Sequence, residues 1–379
     1  MAEVKDYGEL FTADILVVGG SMSGLTTAIR AKENNPELDI LVIDKGIIGW
    51  NGQSTKAGNG IRSTSKHPDG VMNALGYLVH AHTPFLNDQE FLKRYLEVHR
   101  DNIDYMKHCG VQVSCDEDGN ATPLTFIPDA LDMAGVSINV NAQLRAFALK
   151  LGIRLMSRVN VFELLTSKTG KVIGAIGFGM DKGECKIFHA KAVAMATQGC
   201  HFKKIGLEFM GYGTGVGAMY RVGAVMRNVE FSTQVDVVFK KTNTPIYGGF
   251  NMICNKNGEN LTQKYIGHLE WEVTPALVNA MVKEVAAGNG PLWVDLEQPD
   301  EVRMMIGGTD MDESTQRMMR DKMAWEHLVF SKTAKNIGEV GTKPEATIKT
   351  VIQVEPVKVD TDIRTDVEGL WAPGKVSTQ

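Results

Sequence analysis

Residues 13–24 read ADILVVGGSMSG, and this stretch decides the fold of the chain. The apolar run at 15–18 predicts a buried strand, the glycines and serines after it predict a tight turn, and residues 25–30, LTTAIR, begin a helical pattern. A second apolar run at 40–43 ends in Asp44. This order predicts a dinucleotide site, because a helix N-terminus attracts pyrophosphate and an acid at the end of the second strand accepts hydrogen bonds from ribose hydroxyls.

One position departs from the usual glycine pattern of such sites. Ser21 stands where GxGxxG has its middle glycine, so the backbone must approach the phosphates past a small side chain. An ordinary βαβ unit with a glycine turn is therefore the alternative interpretation. The complete order of strand, turn, helix, strand and acid favours the dinucleotide site.

The composition excludes several classes of protein. The chain has 379 residues, 43% hydrophobic and 22% charged, which is typical of a globular protein with a sizeable core and two domains. A formal net charge of -5 gives no sign of nucleic-acid binding. No apolar run approaches the roughly 20 residues of a membrane helix, and the N-terminus has no secretory pattern. We therefore expect a cytoplasmic protein without a direct membrane span.

Cysteine and histidine patterns argue against a metal site in this chain. The 5 cysteines form no CxxC pair and no Cys/His cluster, so we expect reduced thiols. His80 and His82 are alternate residues of a predicted helix, where their side chains diverge. Any iron–sulfur cluster would have to lie on a partner protein.

The remaining pattern predicts a helix at 88–110 with Asp88 as its N-cap, followed by a β-rich region and then a mixed region from about 231 onward. The other predicted elements are helices at 139–150, 274–287 and 313–335, strands at 153–156, 161–165, 171–178, 185–188 and 191–196, and a hairpin at 251–265 around Asn257-Gly258.

Short motifs along nearly the whole chain are similar to those of the flavoprotein subunit family of succinate dehydrogenase, fumarate reductase and adenylylsulfate reductase. In order they are ILVVGGSMSG, LVIDKG, STKAGNGI, AVAMATQG, GTGVGAMYRVGAVMRNVEF, FNMICNKNGENL, GPLWVDL and VDTDIRTDVEGLWAPGK. The resemblance implies an α/β fold, in which a Rossmann-like FAD-binding domain of the glutathione-reductase type is interrupted by an α+β capping domain. It places the FAD-binding domain at 1–230 plus 346–379 and the capping domain at 231–345.

The resemblance also implies which residues hold FAD. The glycine turn would wrap the pyrophosphate, Asp44 and Lys45 would hold the adenosine ribose, and the loop at 54–60 would lie along the flavin. A solvated polar loop is the alternative for 54–60. The implied cofactor-binding residues are Gly19, Ser21, Met22, Ser23, Gly24, Asp44, Lys45, Ser54, Thr55, Lys56, Ala57, Gly58, Asn59, Gly60, Val161, Ala196, Thr197, Gln198 and Gly374.

Several positions depart from the family pattern. Gln53 stands where succinate dehydrogenases carry the histidine that bonds covalently to the flavin, which predicts noncovalent FAD. Lys375 replaces a motif glutamate. The family's other lost positions fall at Val216, near Val235, at Gln353 and at 274–276. A dicarboxylate needs several converging cations, so no such site is supported and the catalytic residues stay unassigned. Four arginines could replace the lost cations, and a position on the protein surface is the alternative interpretation for each of them: Arg62, Arg303, Arg317 and Arg320.

Two functions are consistent with this pattern. The first is an FAD-dependent oxidoreductase, similar to fumarate reductase and adenylylsulfate reductase, that passes electrons between a small-molecule substrate in the cleft between the two domains and an external iron–sulfur protein subunit. The second is a flavin-binding electron-transfer or structural subunit without its own substrate chemistry. A fragment that binds FAD poorly is a third interpretation. The substrate, the direction of the reaction and the oligomeric state are not predicted.

Overall fold

The computed structural model describes most of the chain. The described residues are 7–55, 60–82, 85–121, 123–137, 139–201, 211–230, 234–241, 244–245, 252–267, 275–295, 343–351 and 353–377. The strands are β1 (Glu9–Val18), β2 (Ile40–Asp44), β3 (Gly60–Thr64), β4 (Leu124–Ile127), β5 (Leu131–Gly135), β6 (Arg154–Ser157), β7 (Val159–Thr166), β8 (Val172–Gly179), β9 (Cys185–Met195), β10 (Cys200–His201), β11 (Gln234–Phe239), β12 (Thr244–Pro245), β13 (Ile253–Cys254), β14 (Leu292–Val294), β15 (Glu345–Val351), β16 (Gln353–Val354) and β17 (Leu370–Trp371). The helices are α1 (Met22–Asn34), α2 (Gly70–Tyr77), α3 (Gln89–Val98), α4 (Asn102–His108), α5 (Val140–Lys150), α6 (Thr214–Arg221), α7 (Leu261–Tyr265) and α8 (Pro275–Ala286).

The main sheet has seven strands in the order β6-β2-β1-β9-β8-β7, and β17 pairs with the end of β9. The pairs that join β6, β2, β1, β9 and β17 are parallel, whereas β7, β8 and β9 pair in antiparallel fashion. Because β1, β2 and β9 are parallel, their carboxyl ends lie at one edge of the sheet, where open α/β sheets bind ligands. The expected α/β fold with a Rossmann-like unit is confirmed.

The central strands are buried on both faces. Leu16 and Val18 of β1 join one core cluster, while Val17 between them joins the other. β2 alternates in the same way, since Leu41 lies in the first cluster and Val42 in the second. This explains why both strands read as continuous apolar runs: a parallel sheet covered on both sides needs apolar residues at every position.

The predicted helix at 88–110 is two helices. Asp88 caps α3 as predicted, because its Oδ1 accepts a hydrogen bond from the Phe91 N–H at 3.1 Å. A 3-10 turn at His99–Asp101 then separates α3 from α4. At this turn the side chain of Asn102 approaches the ring of His99, and its Nδ2 donates to the carbonyl of Arg62 in β3 at 3.3 Å. The break therefore fits a tertiary contact with β3 that helical periodicity does not reveal.

A second sheet has the order β12-β11-β15-β14-β13 and packs with α7 and α8 around Ile253, Leu261, Leu277 and Met281. The hairpin predicted at 251–265 forms only in part: a turn at Asn257-Gly258 brings Cys254 and Asn260 into a single antiparallel bridge, but β13 pairs with β14, and α7 replaces the second strand. β15, which the sequence assigned almost wholly to the first domain, pairs with β11 in this second sheet.

Other predictions need smaller changes. The strands predicted at 185–188 and 191–196 form one continuous strand, β9, because β1 pairs with it through residue 190. The helix predicted at 313–335 lies outside the described residues. Within the part of the chain that the structure describes, no helix is both long enough and apolar enough to cross a membrane.

Candidate functional site

The glycine turn after β1 leaves no room for side chains at two positions. Gly19 has φ +115°, and a Cβ there would collide with the carbonyl of Ala196 at the end of β9. A Cβ on Gly24 would collide with the carbonyl oxygen of Gly19. Both glycines therefore let β1, β9 and the start of α1 approach closely, as a phosphate-binding turn requires.

The N-terminus of α1 is suited to an external anion. Ser21 is the N-cap of α1. Its side chain makes no capping hydrogen bond among the described residues, and the first turn of the helix contains no acidic residue. Its Oγ instead lies 2.8 Å from the Oγ of Ser54, which accepts a hydrogen bond from Asn141 Nδ2 at 2.9 Å. Because neither a capping side chain nor an acidic residue satisfies the first turn, its N–H groups and the helix dipole favour a bound anion.

Asp44 has more partners than the ribose role predicts. Its Oδ2 accepts from the Gly20 N–H at 2.7 Å, and its Oδ1 accepts from the Gly46 N–H at 2.7 Å and from Asn51 Nδ2 at 2.6 Å. The carboxylate thus joins the glycine turn to the loop after β2. A carboxylate has about four acceptor positions, so roughly one is left for a ligand hydroxyl.

A cleft of about 910 Å³ opens at the carboxyl ends of β1, β2 and β9. Of the residues predicted to bind FAD, those that line it are Gly19, Ser21, Met22, Ser23, Asp44, Lys45, Ser54, Val161, Ala196, Thr197 and Gln198. This volume lies within the range of cofactor sites. Residues from four distant parts of the sequence therefore meet in one cavity.

The other predicted residues lie around the cleft or outside the described part of the chain. Gly24 packs against the carbonyl of Gly19 in the glycine turn. Gly374 lies close to the same turn, because a Cβ on it would lie 2.5 Å from the Oγ of Ser23. Thr55 donates its hydroxyl to the Gly52 carbonyl at 2.7 Å in the 3-10 turn beside the cleft, and Gly60 begins β3. Lys56, Ala57, Gly58 and Asn59 are not among the described residues.

One buried hydroxyl in the cleft has no hydrogen-bond partner among the described residues. The Oγ1 atom of Thr197 is buried and, among the described residues, makes no hydrogen bond. The absence of a side chain on Gly215 leaves space beside it, since a Cβ there would collide with this oxygen. A buried polar atom without a partner is costly, so a hydrogen-bonding ligand is expected at this point. The orphaned hydroxyl, the glycine turn and the helix N-terminus together fit a dinucleotide.

Gln53 and Lys375, the two most distinctive replacements, contact each other across the cleft. Lys375 Nζ donates to Gln53 Oε1 at 3.0 Å and lies 3.6 Å from a carboxylate oxygen of Glu355. The side chain of Gln198 also reaches Gln53 Oε1, at 3.5 Å. The segment that contains Gly374 is therefore tied to the turn that precedes the predicted flavin loop.

A neutral polar wall comes from α3 and α4. Tyr95, His99, Asn102 and Met106 line the cleft, and the rings of Tyr95 and His99 stack with centroids 4.5 Å apart. Burial, assisted by the positive charge of Arg62, lowers the pKa of His99 to about 4, so the ring is neutral at pH 7. His99 Nε2 lies 3.2 Å from both the Tyr95 hydroxyl and Asn102 Nδ2. Because an amide nitrogen only donates, Nε2 accepts and the ring proton is on Nδ1.

Sequence reasoning missed this wall and several other lining residues. They are Val18, Thr26, Asn51, Gly52, Tyr95, His99, Asn102, Met106, Val159, Asn160, Gly211, Tyr212, Gly213, Thr214 and Gly215. Asn51 and Gly52 lie just before the predicted flavin loop at 54–60, whereas α3 and α4 carry no local signal for a ligand. Among the described residues, no cluster of His, Cys, Asp or Glu is arranged to hold a metal ion.

The chain matches a family model described as FAD binding domain over residues 14–379. It is 20% identical over 296 residues to the 8-methylmenaquinol:fumarate reductase flavoprotein subunit of Wolinella succinogenes, with 73% of this chain and 47% of the relative covered. It is 24% identical over 277 residues to a fumarate reductase flavoprotein subunit of Mycobacterium tuberculosis, with 66% and 45% covered. The chain thus spans about half the length of the curated relatives it matches.

Solved structures share the fold at low sequence identity. Quinol fumarate reductase of E. coli aligns with a TM-score of 0.76 and 18% identity, covering 98% of this chain and 65% of that one. Adenylylsulfate reductase of Archaeoglobus fulgidus aligns with a TM-score of 0.72 and 18% identity, covering 98% and 67%.

Proposed function

The chain belongs to the FAD-binding domain family of flavoproteins, and from that premise we propose that it is an oxidoreductase that passes electrons between a small-molecule substrate and an external iron–sulfur protein. The observation that carries the proposal is the cleft itself. One part of the cleft, at the N-terminus of α1 and the hydroxyl of Thr197, offers hydrogen-bond donors to an anion. Another part is the neutral polar wall at His99. The relatives are named as flavoprotein subunits, which supports a separate electron partner.

The proposed FAD contacts follow the residues that meet in the cleft. The turn from Gly19 to Gly24 would hold the pyrophosphate, with Thr197 donating its orphaned hydroxyl. Asp44 and Lys45 would face the ribose, and Val161 the adenine. The loop at 54–60 and Gly374 would lie along the flavin. We propose a capping domain at 231–345 and an FAD-binding domain at 1–230 plus 346–379, with the boundary moved so that β15, which pairs with β11 and β14, belongs to the capping domain.

When bound, FAD supplies two-electron redox chemistry at its flavin ring. The chain itself contributes position and polarity. The stacked pair Tyr95 and His99 presents uncharged hydrogen-bonding groups, since a His99 pKa of about 4 leaves the imidazole neutral. Such a wall orients a polar, uncharged part of a ligand better than it binds a carboxylate, which needs cations.

A flavin-binding electron-transfer subunit without substrate chemistry is the second candidate. It is favoured by the residues Val216, Val235 and Gln353, which carry no charge at positions where the resembling family uses charged or titratable groups. The protein would then exchange electrons only with another protein.

Anaerobic spectroscopy of the FAD-loaded protein distinguishes the two candidates. The flavin absorbance is followed while small organic and sulfur-oxyanion compounds, and then reduced iron–sulfur proteins, are added in turn. Turnover with any small molecule supports the oxidoreductase. Redox cycling with a protein partner alone would favour the second candidate.

A further inference from the structure

An aromatic–cation pair lies at the cleft and consists of Lys45, which we proposed to face the ribose, and Tyr212, which has no role in the contacts proposed above. Lys45 Nζ lies 4.8 Å from the ring centroid of Tyr212, and both residues line the cleft. Lys45 directly follows β2. Tyr212 lies two residues before α6, and its backbone forms an isolated antiparallel β-bridge with Cys200. The pair therefore joins two separate segments of the cleft wall.

The exposure of the two side chains is unequal. Tyr212 is 69% exposed, although it lines a cavity. Lys45 is partly buried, and this burial lowers the pKa of its ammonium group. A large exposed ring beside a ligand cleft offers a flat apolar face, and a partly desolvated cation favours a nearby anion. Both properties suit a ligand that combines an aromatic base with phosphate.

The position of the pair indicates which half of a bound dinucleotide it would contact. The carboxyl end of β2 is the place where sites of this type hold the adenosine ribose, and Lys45 is adjacent to Asp44 there. Val159, Asn160 and Val161 of β7 line the same cleft. We propose that Tyr212, with Lys45 against its ring, covers the adenosine half of FAD and makes the protein select FAD over flavins that lack adenosine.

This inference rests on the proposed function, since it assumes that FAD occupies the cleft. The stabilisation comes from stacking of the adenine on the exposed ring, which is insensitive to the tyrosine hydroxyl. Tyr212→Phe should therefore bind FAD like the wild type. Loss of the whole ring should weaken binding by about tenfold or more, the usual effect of removing a base-stacking aromatic residue.

The test compares FAD with FMN, which has the flavin but no adenosine. Dissociation constants of both are measured by flavin fluorescence on the full chain for wild type, Tyr212→Ala, Tyr212→Phe and Lys45→Met. Tyr220→Ala is the matched control, because Tyr220 is 67% exposed on α6 and does not line the cleft. Thermal unfolding confirms that each variant is folded.

We expect Tyr212→Ala to weaken FAD about tenfold or more and FMN by less than about twofold, with Lys45→Met weakening FAD more than FMN. Tyr220→Ala should change neither. An unchanged ratio of FAD to FMN affinity in Tyr212→Ala, or equal weakening of both flavins, would overturn the inference while leaving FAD binding intact. A folded wild type that binds neither flavin would overturn the proposed function as well.

Discussion

Thr197 carries a buried hydroxyl whose hydrogen-bonding capacity is unused among the described residues. Its buried hydroxyl has no partner among the described residues, and it lies in the cleft beside the glycine turn. Thr197→Val removes this hydroxyl and keeps the shape. We expect the ligand-free variant to be about 1 kcal/mol more stable, because an unsatisfied buried polar group is removed.

The same substitution should weaken FAD binding several-fold, because the cofactor loses a hydrogen-bond donor. Urea unfolding without FAD and calorimetric titration with FAD measure the two effects. Opposite signs are the expected result. A variant that is less stable and binds FAD normally would show that the hydroxyl serves the fold and not the ligand.

Gln53 predicts that the cofactor is attached noncovalently. Its amide cannot act as the imidazole nucleophile of covalent flavoproteins, and its Oε1 accepts a hydrogen bond from Lys375 at 3.0 Å. We expect FAD to be released when the purified protein is precipitated with acid. Yellow colour in the supernatant is the predicted observation. Flavin that stays with the pellet through repeated washing would contradict noncovalent binding.

At the scale of elements, sequence motifs predicted those strands, turns and helices whose conformation depends on residues close together in the sequence. The strand–turn–helix around Gly19 was predictable because its glycines, apolar run and acid are contiguous in sequence. The turn at Asn257-Gly258 forms as predicted, but the second strand of the hairpin does not, because a turn signal does not say which strand β13 joins. The apolar side chains of Ile253 and Leu261 are both buried in the core of the second sheet, and that burial favours pairing with β14.

The cleft shows the same limit. Residues that follow β1, β2 and β9 were predicted because each ends a recognisable strand. Tyr95 and His99 were not, since their role depends on how α3 and α4 fold back over β3. The residues of α3 that approach the cleft read as an ordinary amphipathic helix.

A buried carboxylate fastens α8 to α7 in the second sheet region. Glu284 is 1% exposed; Lys264 Nζ lies 2.8 Å from its carboxylate, Asn255 Nδ2 donates to it at 2.9 Å, and Tyr265 donates its hydroxyl. Glu284→Gln should destabilise the protein by about 1–3 kcal/mol, because these donors lose a charged acceptor. Glu259→Gln is the control: its side chain is 50% exposed, so its ion pair with Lys264 is screened by solvent and its loss should destabilise the protein much less than Glu284→Gln does. Urea unfolding followed by tryptophan fluorescence measures both, since Trp293 lies in β14.

This carboxylate also predicts a pH dependence. The hydrogen bonds from Lys264 and then Tyr265 lower the pKa of Glu284 to about 2 from its ordinary value of 4.5. The stabilisation is therefore complete above pH 4.5 and is lost as the pH falls toward 2. Between pH 6 and pH 3, the wild type should lose more stability than Glu284→Gln. Parallel curves for the two proteins would count against this network.

At the scale of the whole molecule, we do not expect the cleft to act as a dicarboxylate site. Fumarate reduction needs a substrate clamped through both carboxylates and a proton donor beside it. The positions expected to supply these groups include Val235 and Gln353, and the cleft wall at His99 is neutral. We predict fumarate reductase and succinate dehydrogenase activities several factors of ten below those of the enzymes it resembles. Oxidation of reduced viologen with fumarate, against FAD-loaded protein without substrate, is the assay. A turnover of about one per second or more would mean that other cations rebuild the site; Arg303, which lies outside the described residues, is the first candidate.

The central claim is that this fold holds one FAD in the cleft at the ends of β1, β2 and β9 and uses it for electron transfer. The most direct measurement is an anaerobic titration of the purified full chain with FAD, followed by reduction and reoxidation of the bound flavin in the visible spectrum. We expect saturation at one FAD per chain and reversible bleaching of the flavin bands. A folded protein that stays colourless at saturating FAD would contradict it.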